Sequence, residues 1–454
     1  MNLPTPVWPI RPWLVAVGIL ATAVHAPGQL SVDSVVALYE AATGRAFGWT
    51  PTFQSALLAW LGGGETASTL HVALMVAVTV LALEALLRVA DGGPAWRVAL
   101  AAAVALNPLV WLMVGVVWRD VLLGIAVLAG TAALLVARRV ATTRVPWLPW
   151  GIAAVAAAVC VLARQPGFLL AAALVAGLTL QIRGVLAVRR QNAPRTIIPV
   201  AAGLLIPLLA LATLKFAANS TIKPDPARPA QMSGATLVML YDIAGMWSHR
   251  RTNERLLPVG IPVEIAQRMR TAYSAERIDG LLAAPGLRDW AIAEGRRRMA
   301  AHWWAMFRAA PTAYLEHRWN TTIALLGFSD VGRCVPGYWG VAGLPPMLDA
   351  LGIEERMDPR DRMIGRINAW LSGTPVFWNA TYLLALLILV PIAARRFGFF
   401  SEEVIVGVAA LAYATFFIVA GVACDVRYLF PVVLVVTVLL ISVVLNTTPA
   451  RAAS

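Results

Sequence analysis

The chain has 454 residues, of which 59% are hydrophobic and 13% are charged, and its mean hydropathy is +0.72. Soluble domains carry about twice this share of charged residues, so these values exclude an ordinary soluble protein. The net charge of +13 could indicate nucleic acid, but the arginines concentrate in short loops between apolar stretches, and we therefore predict no nucleic-acid partner.

About ten apolar stretches approach the length of roughly 20 residues that a helix needs to cross a bilayer. Because lipid offers the backbone no hydrogen-bond partner, each stretch is expected to be helical. The predicted fold is therefore an all-α, polytopic integral membrane protein with about ten transmembrane helices. The stretches are residues 12–27, 67–88, 98–117, 121–137, 147–163, 167–182, 196–214, 376–394, 403–422 and 428–446.

Arginines in alternate loops give the predicted orientation. Because short Arg-rich loops stay on the cytoplasmic side, both termini are predicted to be cytoplasmic, in the inner (plasma) membrane. Residues 1–26 also resemble a signal peptide, but Pro27 directly after the candidate cleavage site favours an uncleaved helix. The loop arginines are Arg138, Arg139 and Arg144, then Arg183, Arg189, Arg190 and Arg195, and finally Arg395 and Arg396.

Two longer polar stretches divide the chain into three predicted parts. An N-terminal transmembrane module covers 1–214 and includes a first external loop at 28–65. A large, mainly helical external domain covers 215–375, and C-terminal transmembrane helices cover 376–454. In the first loop, Ser31 is a candidate N-cap for a surface helix that ends at Gly44, and residues 52–62 are too short to span.

The large loop contains three predicted helices, Ala235–Trp247, Arg288–Arg308 and Pro311–Leu326, and a Gly- and Pro-rich loop at 331–346. Cys160 should lie in a membrane helix, so Cys334 and Cys424 form the one possible external disulfide.

Acidic residues recur at the ends of the predicted spans that face the external side of the membrane. Asp33 follows the first span and could act as a general base toward an acceptor hydroxyl, hold a divalent cation, or only interact with the helix dipole beyond Ser31. Asp120 follows Arg119 at the start of the fourth span, and it either joins such a site or simply pairs with Arg119.

Arginines recur at the same face. Arg164 lies in the short turn between the fifth and sixth stretches, where a guanidinium needs an anion or the headgroup layer. Arg427, between Asp425 and Tyr428, lies in the last turn, and Asp425 alone could neutralise it. Because one guanidinium group can donate two parallel hydrogen bonds to phosphate oxygens, a lipid phosphate is a natural ligand for these arginines.

These motifs together resemble the GT-C superfamily of membrane glycosyltransferases. The resemblance covers most of the chain in its topology, although each motif is only two to six residues long. The resemblance is carried by Asp33 with Tyr39 and Thr50-Pro51, by Arg119-Asp120, by Arg164-Gln165-Pro166-Gly167, by Leu240-Tyr241-Asp242-Ile243-Ala244-Gly245 and by Asp425-Val426-Arg427-Tyr428.

The resemblance implies an enzyme that moves a sugar from a polyprenyl-phosphate carrier to an acceptor hydroxyl at the external face of the bilayer. Asp33 would be the general base, with inversion at the anomeric carbon, and Asp120 would have a supporting acidic role. The acceptor would be a glycan, a lipid or a protein. Ser34 stands where many relatives carry a second acidic residue, and Thr50 replaces their usual His. Metal dependence is therefore left open, with a divalent cation as the only cofactor considered.

The predicted catalytic residues are Asp33 and Asp120, and the predicted substrate-binding residues are Arg119, Arg164, Asp425, Arg427, Tyr428 and Tyr39. Two alternatives compete with this interpretation. A polysaccharide polymerase or ligase would use the large loop, through Arg250, Arg251, His302 or His317. A non-catalytic lipid or solute transporter would carry charged residues at mid-membrane depth, of which the sequence shows few.

Overall fold

The computed structural model describes residues 10–47, 51–89, 95–141, 145–189, 197–225, 232–249, 260–329, 334 and 337–445. Within these residues the chain is almost wholly helical. The N-terminal helices are α1 (Pro12–His25), α2 (Val32–Thr43), α3 (Phe53–Trp60), α4 (Gly64–Val89), α5 (Ala95–Ala105), α6 (Pro108–Met113), α7 (Arg119–Val140), α8 (Trp147–Ala163), α9 (Gly167–Arg189) and α10 (Ile197–Thr221).

A second group of helices fills the long segment before the last three spans. These are α11 (Gly234–His249), α12 (Val263–Ala272), α13 (Asp279–Ala283), α14 (Leu287–Ala309), α15 (Pro311–Leu326), α16 (Pro345–Leu351) and α17 (Pro359–Ser372). The chain then continues with α18 (Asn379–Phe397), α19 (Glu402–Ala420) and α20 (Phe430–Leu445).

The predicted all-α membrane class is confirmed. Eight spans of the described residues are long and apolar enough to cross a membrane, while α1 and α8 are shorter apolar helices at the two other predicted positions. The predicted stretch 98–117 is not one continuous helix. Asn107 interrupts it, and the Asn107 side chain accepts a hydrogen bond from the Leu109 amide (3.0 Å) to begin α6 beside Pro108.

The first loop folds as its sequence predicts. The Ser31 amide donates to the Ser34 hydroxyl (3.2 Å) at the start of α2, and Gly44 ends the helix with φ of 65°. Two short strands, β1 (Arg45–Ala46) and β2 (Lys223–Pro224), then pair in parallel and join this loop to the end of α10.

Helix α7 lies at the centre of the bundle, against α4, α8, α9 and α20. Two glycines allow this close packing. A Cβ at Gly124 would lie 2.8 Å from Phe430, and one at Gly130 would lie 2.8 Å from both Ala156 and Leu174. Small residues at such crossings let helix backbones approach, which is how helices pack in lipid.

Helices α11–α15 (described residues 232–249 and 260–326), here named the cap unit, share a hydrophobic core of their own. The predicted helices Ala235–Trp247, Arg288–Arg308 and Pro311–Leu326 correspond to α11, α14 and α15, with a break in α14 at Gly295. The sequence analysis missed α12, α13, α16 and α17. The cap unit contacts the chain before α20, where Ile278 donates to Val422 (3.0 Å) and Cys424 donates to Glu276 (2.8 Å) through their amides.

The one pair that the sequence left possible does form a disulfide, since Cys334 and Cys424 are bonded and Cys160 is a buried free thiol. The spans alternate between two faces of the bundle. The polar face carries α2, the cap unit and the starts of α4, α7, α9, α18 and α20. The opposite face carries the loop arginines Arg138, Arg139, Arg183, Arg395 and Arg396. Other predicted features lie outside the described residues. They are Arg144, Arg190, Arg195, Thr50, the termini before residue 10 and after 445, and part of the 331–346 loop.

Candidate functional site

The polar turns that lie far apart in the sequence meet at one place on the polar face. Arg427 Nη1 donates to Asp33 Oδ2 at 2.7 Å, and Arg427 Nη2 lies 3.1 Å from Asp425 Oδ2. One guanidinium thus joins a carboxylate of the first loop to a carboxylate of the last turn.

Local structure explains the position of Arg427. Residues Val426–Leu429 form a short 3-10 turn immediately before α20, which directs Arg427 toward α2. Its guanidinium carbon lies 4.6 Å from the centre of the Trp118 ring. Trp118 is fixed in turn, because its indole N–H donates to the Ser31 hydroxyl at 2.7 Å. Cation–π contact therefore holds the guanidinium beside the start of α2.

Arg164 is held by a tight turn between α8 and α9. The Gly167 amide donates to the Arg164 carbonyl at 3.0 Å, and a Cβ at position 167 would meet the Cys160 carbonyl oxygen at 1.9 Å. Only glycine fits there. The Arg164 guanidinium carbon lies 4.6 Å from the Tyr428 ring centre, and Arg164 Nε lies 2.8 Å from Asp120 Oδ1.

The first turn of α7 supplies the third part of the cluster. Asp120 and Arg119 are both buried, and Arg119 Nη2 lies 3.9 Å from Glu40 Oε2 of α2. The sequence left open that Arg119 and Asp120 pair with each other, but each lies close to a different partner in the structure. Asp120 faces Arg164 instead, and Arg119 faces Glu40.

Several polar atoms of this cluster are buried without a hydrogen-bond partner among the described residues. Arg164 Nε and Asp120 Oδ1 are close to each other but are not aligned for a hydrogen bond. Buried charged groups in proteins normally have their hydrogen bonds made. The atoms of this cluster without such a partner are Arg119 Nε and Nη2, Asp120 Oδ1, Arg164 Nε and Arg427 Nε.

Asp33 is the accessible member of the cluster, with 56% of its side chain exposed. The positive charge of Arg427 holds the pKa of the Asp33 carboxyl below its usual range, and Arg119 and Arg164 act in the same direction. Asp33 is therefore a carboxylate at neutral pH. While it is paired with Arg427, it is also a weaker proton acceptor than a free aspartate.

Two predicted substrate-binding residues fall in different positions. Tyr428 lies between the two arginines, with its ring stacked on Phe417 at 5.1 Å. Tyr39 is partly buried, and its ring packs edge-on against Phe47 at 6.0 Å, within the first loop. Its observed packing is thus directed at that loop, and its role in binding substrate stays a prediction.

Arg277 of the cap unit was not predicted from the sequence. Arg277 Nη2 donates to Asp425 Oδ1 at 2.7 Å, so Asp425 is shared between Arg277 and Arg427. Nothing near Arg277 forms a motif, and the contact depends on the pairing of residues 276–278 with 422–424. Trp118 directly precedes Arg119 in the sequence, but only the structure shows that its ring contacts Arg427.

The residues of the rival loop site are used within the cap unit. His317 is fully buried, with Nε2 3.1 Å from Asp242 Oδ1 and Nδ1 2.8 Å from the Tyr273 hydroxyl. Burial lowers the pKa of His317, which keeps the ring neutral. His302 lies 3.4 Å from Glu294, and Arg250 and Arg251 lie outside the described residues.

A divalent cation fits this donor set poorly. Asp33, Asp120 and Asp425 each face a guanidinium within 3.1 Å, so their oxygens already have a positive partner. The described residues also hold no group of three or more His, Cys, Asp or Glu side chains that could bind a metal ion. Hard cations prefer six or more oxygen ligands, and no step is assigned to one here.

No family model and no curated relative matches the chain. Two solved structures are similar to it. Arabinosyltransferase EmbB from Mycobacterium smegmatis is 15% identical, with a TM-score of 0.36 over 90% of this chain and 44% of its own. Oligosaccharyltransferase AglB from Archaeoglobus fulgidus, solved with an inhibitory peptide and a dolichol-phosphate, is 12% identical, with a TM-score of 0.36 over 94% of this chain and 50% of its own.

Both enzymes are membrane glycosyltransferases of the GT-C type, the class that the sequence motifs resemble. The chain spans half of their length or less. The identities and TM-scores are too low to carry an activity from these enzymes to this chain.

Proposed function

We propose that this chain is a membrane glycosyltransferase that moves a sugar from a polyprenyl-phosphate carrier to an acceptor hydroxyl at the polar face. The main support is that an accessible carboxylate, Asp33, lies in the same cluster as Arg164 and Arg427. The buried Nε atoms of both arginines lack hydrogen-bond partners among the described residues. A phosphoryl group beside a sugar needs both kinds of group, an anion-binding pair and a base.

The carrier phosphate is assigned to Arg164 and Arg427. The guanidinium carbons of Arg164 and Arg427 lie 4.6 and 5.5 Å from the centre of the Tyr428 ring, so both arginines are close to the same side chain. Guanidinium groups bind phosphate oxygens through two parallel hydrogen bonds, and an N–H without a partner gains the most from such a ligand. In the reaction these arginines would stabilise the negative charge that collects on the departing phosphate.

Asp33 is assigned as the general base, and its pairing with Arg427 suggests how it is activated. A carrier phosphate that binds Arg427 competes with Asp33 for the same guanidinium. As that ion pair weakens, the pKa of Asp33 rises toward its ordinary value, and the carboxylate becomes a better proton acceptor. Donor binding would thus prepare the base before the acceptor reacts.

The chemical step is a direct displacement. The acceptor oxygen attacks the anomeric carbon on the side opposite the phosphate, and its proton passes to the Asp33 carboxylate. The bond between the anomeric carbon and the phosphate oxygen breaks, and its electron pair leaves with the carrier phosphate. One displacement inverts the configuration at that carbon. Asp120 and Asp425 hold the arginines in place, through the 2.8 Å and 3.1 Å contacts.

Transfer of radiolabelled sugar from polyprenyl phosphate in proteoliposomes tests the proposal. We expect labelled product with the wild-type chain and about 10²–10⁴-fold slower transfer with Asp33→Asn. Retained activity in Asp33→Asn with loss in His302→Ala would support the polymerase or ligase alternative. Uptake of label without any new glycosidic product would support the transporter.

The charges of the described spans favour an enzyme over a transporter. Charged side chains such as Glu84, Arg138 and Arg395 lie toward helix ends in these segments. Transporters commonly place ionisable groups at mid-membrane depth, along the path of the solute. The proposed membrane is the inner (plasma) membrane, with the polar face external and both termini cytoplasmic.

A further inference from the structure

Helix α17 (Pro359–Ser372) has an apolar stripe that nothing in the described chain covers. Met363, Ile367 and Trp370 are exposed at spacings of four and three residues, so they share one side of the helix, and Trp370 is 75% exposed. Arg362 and Arg366 flank the stripe and are also exposed. The opposite side is buried and consists of Ile364, Gly365, Asn368 and Leu371.

Both ends of α17 are fixed at the ends of spanning helices. At its start, Arg360 donates to the Ala23 carbonyl (3.3 Å), near the end of α1 on the polar face. At its end, Ser372 is followed by a short 3-10 turn and then by α18, which enters the membrane at Asn379. Fourteen residues extend about 21 Å, so the helix links the end of α1 to the start of α18.

We propose that α17 is a membrane-surface helix whose exposed stripe lies in the headgroup layer of the leaflet on the polar face and binds anionic phospholipids. After a short 3-10 turn the chain continues into α18, a candidate membrane span on which Leu384, Leu387 and Ile388 are exposed. Exposed tryptophan with flanking arginine suits the boundary between headgroups and acyl chains, and the two arginines match phosphate charges.

This contact would also bear on the position of Asp33. The segment leading into α16 pairs with the segment leading into α2, where the Leu30 amide donates to the Gly340 carbonyl and the Ala342 amide donates to the Leu30 carbonyl, both at 2.9 Å. In the segment leading into α17, the Arg356 amide donates to the Val341 carbonyl at 3.1 Å, and the Arg356 side chain donates to the Gly28 carbonyl at 3.4 Å. The lipid contact of α17 does not depend on the proposed enzyme activity.

A fluorescent label at position 367 tests the proposal on the full chain in lipid nanodiscs. Ile367→Cys adds the one reactive thiol, because Cys160 is buried and the other two cysteines are bonded to each other. We expect an NBD label there to emit at shorter wavelength, and to be quenched by nitroxide-labelled phospholipid several-fold more than a label at Asp289→Cys. Asp289 is exposed in the first turn of α14 and serves as the matched control.

Equal quenching at positions 367 and 289 would overturn the proposal. Short-wavelength emission at 367 without quenching would also overturn it, since a protein partner or a second copy would then cover the stripe. Adding phosphatidylglycerol to phosphatidylcholine nanodiscs should increase quenching at 367, and Arg362→Gln with Arg366→Gln should remove that increase. No response to phosphatidylglycerol in the parent chain would reject the anionic-lipid part.

Discussion

The two faces of the bundle both hold clusters of buried charge, but the clusters differ in how their hydrogen bonds are made. On the opposite face, Arg138 donates to Glu402 at 2.7 Å and to Glu403 at 2.7 and 2.9 Å. Gln181 completes that cluster by donating to Glu402 and to the Leu134 carbonyl, both at 2.7 Å. The two glutamates of α19 thus meet donors from two other helices, α7 and α9.

On the polar face, Arg119, Asp120, Arg164 and Arg427 are also buried or partly buried, yet each keeps at least one buried atom without a hydrogen-bond partner among the described residues. An unmade hydrogen bond on a buried charged group costs about 1–3 kcal/mol or more, so a cluster that serves only the fold would be expected to make it. We propose that the cluster on the opposite face holds the helices together and that the cluster on the polar face binds an anion.

Removal of the base should have the largest effect. Asp33→Asn keeps the size of the side chain but cannot accept a proton, so sugar transfer should fall by about 10²–10⁴-fold. Radiolabelled transfer in proteoliposomes measures this. Asp289→Asn, an exposed carboxylate in α14, is the control and should leave the rate unchanged. Activity within a few-fold of wild type in Asp33→Asn would remove Asp33 from the mechanism.

The arginines should come next. Arg164→Lys and Arg427→Lys each keep the charge but lose the paired donors, so kcat/KM for the carrier-linked sugar should fall roughly 10–100-fold. Initial rates at several carrier concentrations give this value. Arg138→Lys on the opposite face is the matched substitution, and an equal loss there would contradict the distinction between the two faces.

The cluster on the opposite face should respond in stability instead. Arg138→Gln leaves the buried Glu402 and Glu403 without their cation, and the unfolding free energy should fall by about 2–3 kcal/mol. This figure is at the low end for a buried pair because 37% of the Arg138 side chain is exposed. Thermal unfolding in detergent measures it. Unchanged stability together with lost transfer would assign Arg138 to the reaction instead.

The pH dependence of kcat/KM should differ between variants of the two clusters. Because the pKa of Asp33 is lowered in the folded chain, its ion pair stabilises fully above the ordinary aspartate pKa of about 3.9 and is lost as the pH falls through the lowered value. Arg427→Gln removes the main cause, so the acidic limb of kcat/KM against pH should move to higher pH. Arg138→Gln should leave the limb in place, and a shift there but not in Arg427→Gln would refute the assignment.

Chelation should have the smallest effect. Since guanidiniums already face the three aspartates of the cluster, EDTA should leave the transfer rate unchanged. The measurement compares chelated enzyme with enzyme supplied with Mg²⁺ or Mn²⁺. Loss with EDTA and recovery with either ion would show that a cation takes part.

The sequence was sufficient for the spans and for much of the polar face. Hydropathy located the apolar stretches, and local chemistry at Ser31 and Gly44 predicted both ends of α2. Alternation of the spans then brought Asp33, Asp120, Arg164 and Arg427 to one face without any knowledge of packing. These are properties of short segments, and a single sequence carries them.

Long-range pairing could not be predicted in the same way. Arg119 had a neighbour of opposite charge at Asp120, but helix α2 brings Glu40 toward it, and the α8–α9 turn brings Arg164 to Asp120. Arg277 reaches Asp425 only because two irregular segments pair their backbones. Helix α17 was missed because its exposed apolar residues are too few to give a hydropathy signal. Such contacts depend on the arrangement of whole helices.

A cryo-EM structure of the full chain in nanodiscs with saturating polyprenyl phosphate tests the central claim most directly. We predict phosphate density with oxygens about 3 Å from the guanidiniums of Arg164 and Arg427, and an Arg427–Asp33 distance longer than 2.7 Å. Carrier density with its phosphate elsewhere, and the Arg427–Asp33 pair still closed, would contradict the account.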